Sequence, residues 1–104
     1  MIPFVLPDLD DFVMTASLEG TIYRLWWQWN NRGQHWVLGL QDSNGATLIS
    51  GIKVVPYYPL LKQYRDISLP VGDFLVYAGS DSIGRNDFVN KKATFYYLPV
   101  GELP

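Results

Sequence analysis

Residues 23–40, YRLWWQWNNRGQHWVLGL, decide how this chain folds. Tyr23, Leu25, Trp27 and Trp29 alternate with Arg24, Trp26 and Gln28, the period-2 pattern of a half-buried β-strand. Asn30-Asn31-Arg32-Gly33 follows with turn chemistry, since Asn and Gly tolerate the positive φ of tight hairpin loops. Trp36, Leu38 and Leu40 then alternate with Val37 and Gly39, so the stretch reads as a β-hairpin holding all 4 Trp of the chain. Each large aromatic buries roughly 150–250 Å², enough for this hairpin to nucleate a core. Trp27, Trp29 and Trp36 fall on the inward phase, and Trp26 is expected on the other face.

The same reading extends to both sides. Residues 12–18 alternate as a first strand, with Phe12, Met14, Ala16 and Leu18 on one face. Glu19-Gly20 closes it onto the Trp-rich strand as a two-residue loop. After Leu40, residues 41–45 (QDSNG) carry the Asn-Gly hairpin signal, and residues 47–55 make a further strand bent at Gly51. Four antiparallel strands in a meander result. Residues 56–73, PYYPLLKQYRDISLPVGD, are broken by Pro56, Pro59, Pro70 and Gly72, leaving room for one helical turn at residues 60–64. A connection this long in a small domain covers something or meets something. Here Tyr57, Leu60, Leu61 and Tyr64 are expected to plug an open end, to form an interface, or both. Residues 74–78 and 92–98 are short strands around a loop at 79–90. The fold class is therefore all-β, a single antiparallel barrel or sandwich of about six to seven short strands.

Length and composition bound the function. With 104 residues the chain is one domain. We divide it into an N-terminal arm (1–11), the all-β domain (12–99) and a C-terminal tail (100–104). In the arm, Pro3 and Pro7 bar helix, while Phe4, Val5 and Leu6 pack either on their own domain or on a neighbour. Little of the expected core comes from it, so its deletion is expected to leave a folded domain. Charged residues make up only 17% against 48% hydrophobic, below the usual charged fraction of about 25% and consistent with surface buried against partners. A net charge of −2 with scattered basic residues argues against nonspecific nucleic-acid binding. No apolar run approaches the ~20 residues of a membrane helix, so no membrane insertion and retention in the cytoplasm after synthesis are expected. With 0 Cys, disulfides and thiolate metal sites are excluded.

No catalytic constellation emerges. The single histidine, His35, stands at the hairpin end without a nucleophile-elbow sequence near it. Asp42-Ser43-Asn44-Gly45 matches part of a calcium loop but lacks the downstream Glu, and no glycine-rich phosphate loop is present. Asp81 and Asp87 share a loop, where Asp more often bonds local backbone than works in pairs. We expect no catalytic residue, no cofactor and no metal. The residues free to make contacts are Phe4, Val5, Leu6, Trp26, Tyr57, Tyr58 and Arg65, the last a rigid fork-shaped donor for a carboxylate.

An E-G turn, YRLWWQWNNR, WVLGLQDSNGATLISG, PLLKQYRDISLPVGDFLVYAGS and GRNDF follow one another in this chain. That ordered set resembles the phage baseplate plug family, small all-β proteins of contractile-tailed phages. Its most specific parts are Trp29, Asn30 and Arg32 at the hairpin tip and Asp42 and Gly45 in the next turn. Pro59 to Leu61, Tyr64 to Asp66, Leu69 to Gly72 and Gly84 to Asp87 complete it. The resemblance implies a non-enzymatic virion protein of the tail baseplate, near the axis between tube and central hub or spike. Its partners would be tube, hub or spike, and wedge proteins, with identical copies in a ring of three or six. Two other readings remain: a carbohydrate-binding module using Trp26, Tyr57 and Tyr58, or a small glycan-cleaving enzyme using Asp81 or Asp87.

Overall fold

A computed structural model describes residues 1–64, 69–80 and 82–102. Seven strands among them form two antiparallel sheets: β1 (Ile2–Phe4), β2 (Asp11–Leu18), β3 (Thr21–Asn30), β4 (His35–Asp42), β5 (Thr47–Lys53), β6 (Asp73–Ala78) and β7 (Ala93–Leu98). The four-stranded sheet has the meander order β2-β3-β4-β5, and the three-stranded sheet the order β1-β7-β6. The sheets stay open and stack face to face, a sandwich and not a barrel. Trp27 of one sheet meets Phe95 of the other edge-on, ring centroids 4.7 Å apart, and Phe95 stacks on Phe74 at 5.0 Å.

Local chemistry explains the meander. Glu19 and Gly20 both take positive φ (51° and 89°), the backbone a two-residue hairpin loop needs to match strand twist. At the next-but-one turn, Asp42 Oδ1 accepts from the N–H of Asn44 and of Ala46, and Gly45 sits at φ 87°. The Trp hairpin differs from expectation in one detail. Its loop closes with Gln34, not Gly33, in the left-handed region, at φ 56°. The Asn30 side chain accepts from the Gly33 N–H and so holds the loop in place of a glycine conformation.

Alternation sorts the aromatic residues as expected, with one correction. Trp27 and Trp36 are buried, but Trp29 is only half-buried and rests its ring edge on Trp36 at 5.4 Å. It lies next to the end of β3, where the sandwich offers less cover. Trp26 points away from the core, its Nε1 donating to Asp11 Oδ1 at 2.9 Å.

The N-terminal residues pack on their own domain. β1 pairs with β7 at the sheet edge, Phe4 opposite Phe95 with rings 5.5 Å apart, and the edge position tolerates Pro3. Leu6 is buried in the core, while Val5 beside it is 93% exposed. Further on, Arg85 pairs with Asp8 at 3.0 Å and with Asp10, and its guanidinium lies 5.6 Å from the Trp36 ring centre. The expectation that little core comes from this segment is thus overturned.

The proline-rich connection works as a plug and an edge cover. Leu60 and Leu61 are buried, and a single 3-10 turn follows at Lys62–Tyr64. Tyr57 and Leu60 donate their N–H groups to Val76 O and Phe74 O, capping the outer edge of β6. The buried Asp73 carboxylate accepts from the N–H of Leu61 and of Phe74. Of the four residues expected to plug an end or to form an interface, Tyr57 and Tyr64 are exposed and do not plug.

Gly72 marks the tightest point. A Cβ there would run into the carbonyl oxygen of Leu98 and lie 2.5 Å from Oη of Tyr97. Both neighbours belong to β7 and its buried ring, so neither yields easily. Gly72→Ala is expected to cost about 3 kcal/mol, read as a lower denaturation midpoint at unchanged slope.

Candidate interaction surface

The outer face of the three-stranded sheet carries an aromatic row. Phe74 and Val76 of β6, with Phe95 and Tyr97 of β7, point inward and are fully buried, so Leu75, Tyr77, Thr94 and Tyr96 point outward. The register sets Pro3 and Leu75 on either side of Tyr96, and Tyr77 opposite Thr94. Tyr57 extends the row from the proline-rich connection. Its φ of 60° is unusual for a non-glycine residue and is held by its hydroxyl, which donates to Ala78 O and accepts from Ala78 N. Ring centroids run 5.5 Å from Tyr57 to Tyr77 and 5.3 Å from Tyr77 to Tyr96. Tyr57 is 61% exposed and Tyr77 41%. Rigid tyrosines with two χ angles each lose little entropy on contact, so such a row suits protein recognition.

The residues singled out from sequence do not converge. Tyr57 stands in this row. Phe4 faces inward on Phe95 and Leu6 is buried, which leaves Val5 the exposed member of that trio. Tyr58 lines a separate cleft of about 250 Å³ with Ile52, Lys53, Val55, Leu60 and Tyr64. Trp26 belongs to the outer face of the other sheet. Arg65 and Asp81 lie outside the described residues. Trp26, Tyr57 and Tyr58 therefore build no common sugar platform. Tyr77 and Tyr96 were missed, although the phase of FLVYA and ATFYYL sets both opposite to the inward Phe74 and Phe95.

Polar groups considered for chemistry are engaged locally. Asp87 accepts from the Gly84 N–H at 2.7 Å, as turn aspartates do. Asp42 spends one oxygen on two backbone N–H groups. Among the described residues no three His, Cys, Asp or Glu side chains gather as metal ligands do.

A family model described as cyanophage baseplate Pam3 plug gp18 matches residues 1–100. The chain belongs to this baseplate plug family. No curated protein matches it. The match takes in residues 1–11, so in this plug the N-terminal strand is part of what the family describes. Family membership carries a structural role in a phage tail baseplate and contacts with other baseplate proteins.

One polar cluster bolts the plug together. Tyr97 donates its hydroxyl to Glu19 Oε2 at 2.6 Å and accepts from the Gly72 N–H at 2.9 Å, while Glu19 also receives the Val100 N–H. The first hairpin turn, the proline-rich connection and the C-terminal turn are thereby joined. Burial, and then the hydrogen bond to Glu19, hold the Tyr97 pKa well above its ordinary 10.0, and burial raises Tyr23 as well. A phenol whose folded pKa is raised contributes stability that is complete below the unfolded value and lost as pH climbs toward the folded one. Stability is therefore expected to fall above about pH 10. Tyr97→Phe should flatten that fall, measured as denaturation midpoints against pH.

Proposed function

We propose that this plug is a non-enzymatic packing component close to the tail axis, seated between the tube and the central hub or spike. The match to the baseplate plug family over residues 1–100 carries the reading. Supporting it, the outer face of the three-stranded sheet presents Pro3, Leu75, Tyr57, Tyr77 and Tyr96, a row suited to a protein neighbour. Tube, hub and wedge proteins are the partners this position supplies, and copies arranged in a ring of three or six would follow the symmetry of a tail. Synthesis in the host cytoplasm precedes incorporation.

The test pairs an electron-microscopy map of the intact tail with a surface variant. In the map, density for this chain between tube and hub is expected. Tyr77→Asp with Tyr96→Asp is expected to leave a folded protein, checked by circular dichroism, that no longer enters tails. Density elsewhere in the particle would overturn the axial position, and normal incorporation of the double variant would overturn the role of the row.

A further inference from the structure

Four sheet edges are available for pairing with another chain, and they are not alike. β1 is three residues long and contains Pro3. The outer edge of β6 is capped by Tyr57 and Leu60. β2, by contrast, runs for eight residues, DFVMTASL, without proline, lysine or bulge. Natural sheets rarely leave such an edge unprotected, because its free N–H and C=O groups template another strand.

The hydrogen-bond phase identifies which groups are free. Trp29 N–H donates to Asp10 O, in register with the β2–β3 pairing. Even-numbered residues of β2 therefore bond to β3, and Asp11, Val13, Thr15 and Ser17 direct their N–H and C=O outward. Those backbone groups have no partner among the described residues. On the far side of the same sheet, Val54 N–H donates to Trp36 O, and Val37 pairs with Lys53. By the same alternation, Lys53 of β5 also turns its backbone outward.

Asp11, Gln28, Val37 and Lys53 are successive partners across the four strands, so they form one row on one face. The row begins with a carboxylate at one edge and ends with an ammonium at the other. Lys53 is exposed and makes no ion pair among the described residues. Asp11 has only its Oδ1 engaged, by Trp26.

We propose that β5 of a second copy adds to the free edge of β2, setting Lys53 of that copy against Asp11 and continuing the sheet from copy to copy. Because the four strands alternate in direction, β5 runs opposite to β2, and the added strand is antiparallel without turning the copy over. The contact is head-to-tail and closes into a ring when the rotation between copies allows. Pairing of β2 with another β2 is the poorer choice, since it brings the end carrying Asp8, Asp10 and Asp11 toward Glu19 of the neighbour. The bulge in β5 at Gly51 (φ 76°) divides that strand, so the Lys53 end anchors the contact. This inference does not depend on where in the tail the ring sits.

The chain has 0 Cys, which makes cross-linking clean. Asp11→Cys and Lys53→Cys are made singly and together, checked for folding, and oxidised mildly, both as concentrated purified protein and in intact tails. Positions 11 and 53 of one copy stand three strand spacings apart, about 14 Å, too far for a disulfide within a copy. A mixture of the single variants is expected to give a dimer, and the double variant a ladder that stops at the ring size. Thr15→Cys with Thr47→Cys probes the other end of the same contact, since Thr15, Arg24, Gln41 and Thr47 form the corresponding row beyond the bulge, should the first pair perturb folding. Charge reversal supplies a second readout: Asp11→Lys or Lys53→Asp alone is expected to weaken association at least tenfold, and both together to restore it. Absence of cross-links for both pairs in both preparations would overturn the proposal. So would an Asp11→Cys homodimer alone, or a double reversal that fails to rescue.

Discussion

Trp27→Ala is expected to destabilise the protein by about 3–5 kcal/mol, a large share of the 5–15 kcal/mol typical of a whole domain. Trp27 is fully buried at the centre of the sandwich, where its ring meets Phe12, Trp36, Phe88 and Phe95 at centroid distances of 4.7 to 6.2 Å. Phe95 comes from the opposite sheet, so truncation opens a cavity between the sheets and not merely beside one strand. The indole N–H has no hydrogen-bond partner among the described residues. Packing therefore holds the ring, and Trp27→Phe should be clearly milder than Trp27→Ala. Trp26→Ala removes a half-buried outer-face ring and one hydrogen bond to Asp11, and is expected to cost about 1–2 kcal/mol. Denaturant titration of the three variants checks the order. Equal losses for Trp26→Ala and Trp27→Ala would contradict the face assignment.

Deleting residues 1–6 is expected to cost at least as much, about 4–6 kcal/mol, and to leave the protein only marginally stable. The deletion takes away three paired positions of β1, the Phe4 ring against Phe95 and the buried Leu6. It also bares the β7 edge, where Phe95 and Tyr97 hold the middle of the three-stranded sheet. Arg85 would still bind Asp8 and Asp10, so the remaining segment stays tethered but no longer covers the core. Circular dichroism and a denaturation curve of the truncated chain test this. A cooperative transition at the parental midpoint would show that β1 contributes nothing.

Local chemistry read directly from the residues settled the four-stranded half of the molecule. Period-2 alternation sorted Trp27 and Trp36 from Trp26, and Gly20 and Gly45 take the positive φ that a glycine in a tight turn allows. These features depend on neighbours within about ten positions, where a chain has few alternatives. The family resemblance was legible for the same reason, as an ordered set of turns and strand phases.

Tertiary structure decided the rest. A three-residue strand with a proline has no alternation to detect, and only its pairing with β7, over 90 residues away, makes it a strand. Trp29 has the inward phase of Trp27, yet the end of a sheet offers less cover than its middle. Glu19 reads as a turn residue and becomes the acceptor for Tyr97 and Val100 because the second sheet closes over that turn. The Tyr57–Tyr77–Tyr96 row and the Asp11–Lys53 row both depend on strand register across a sheet. Register is fixed by many weak long-range pairings at once, and that information belongs to the folded chain.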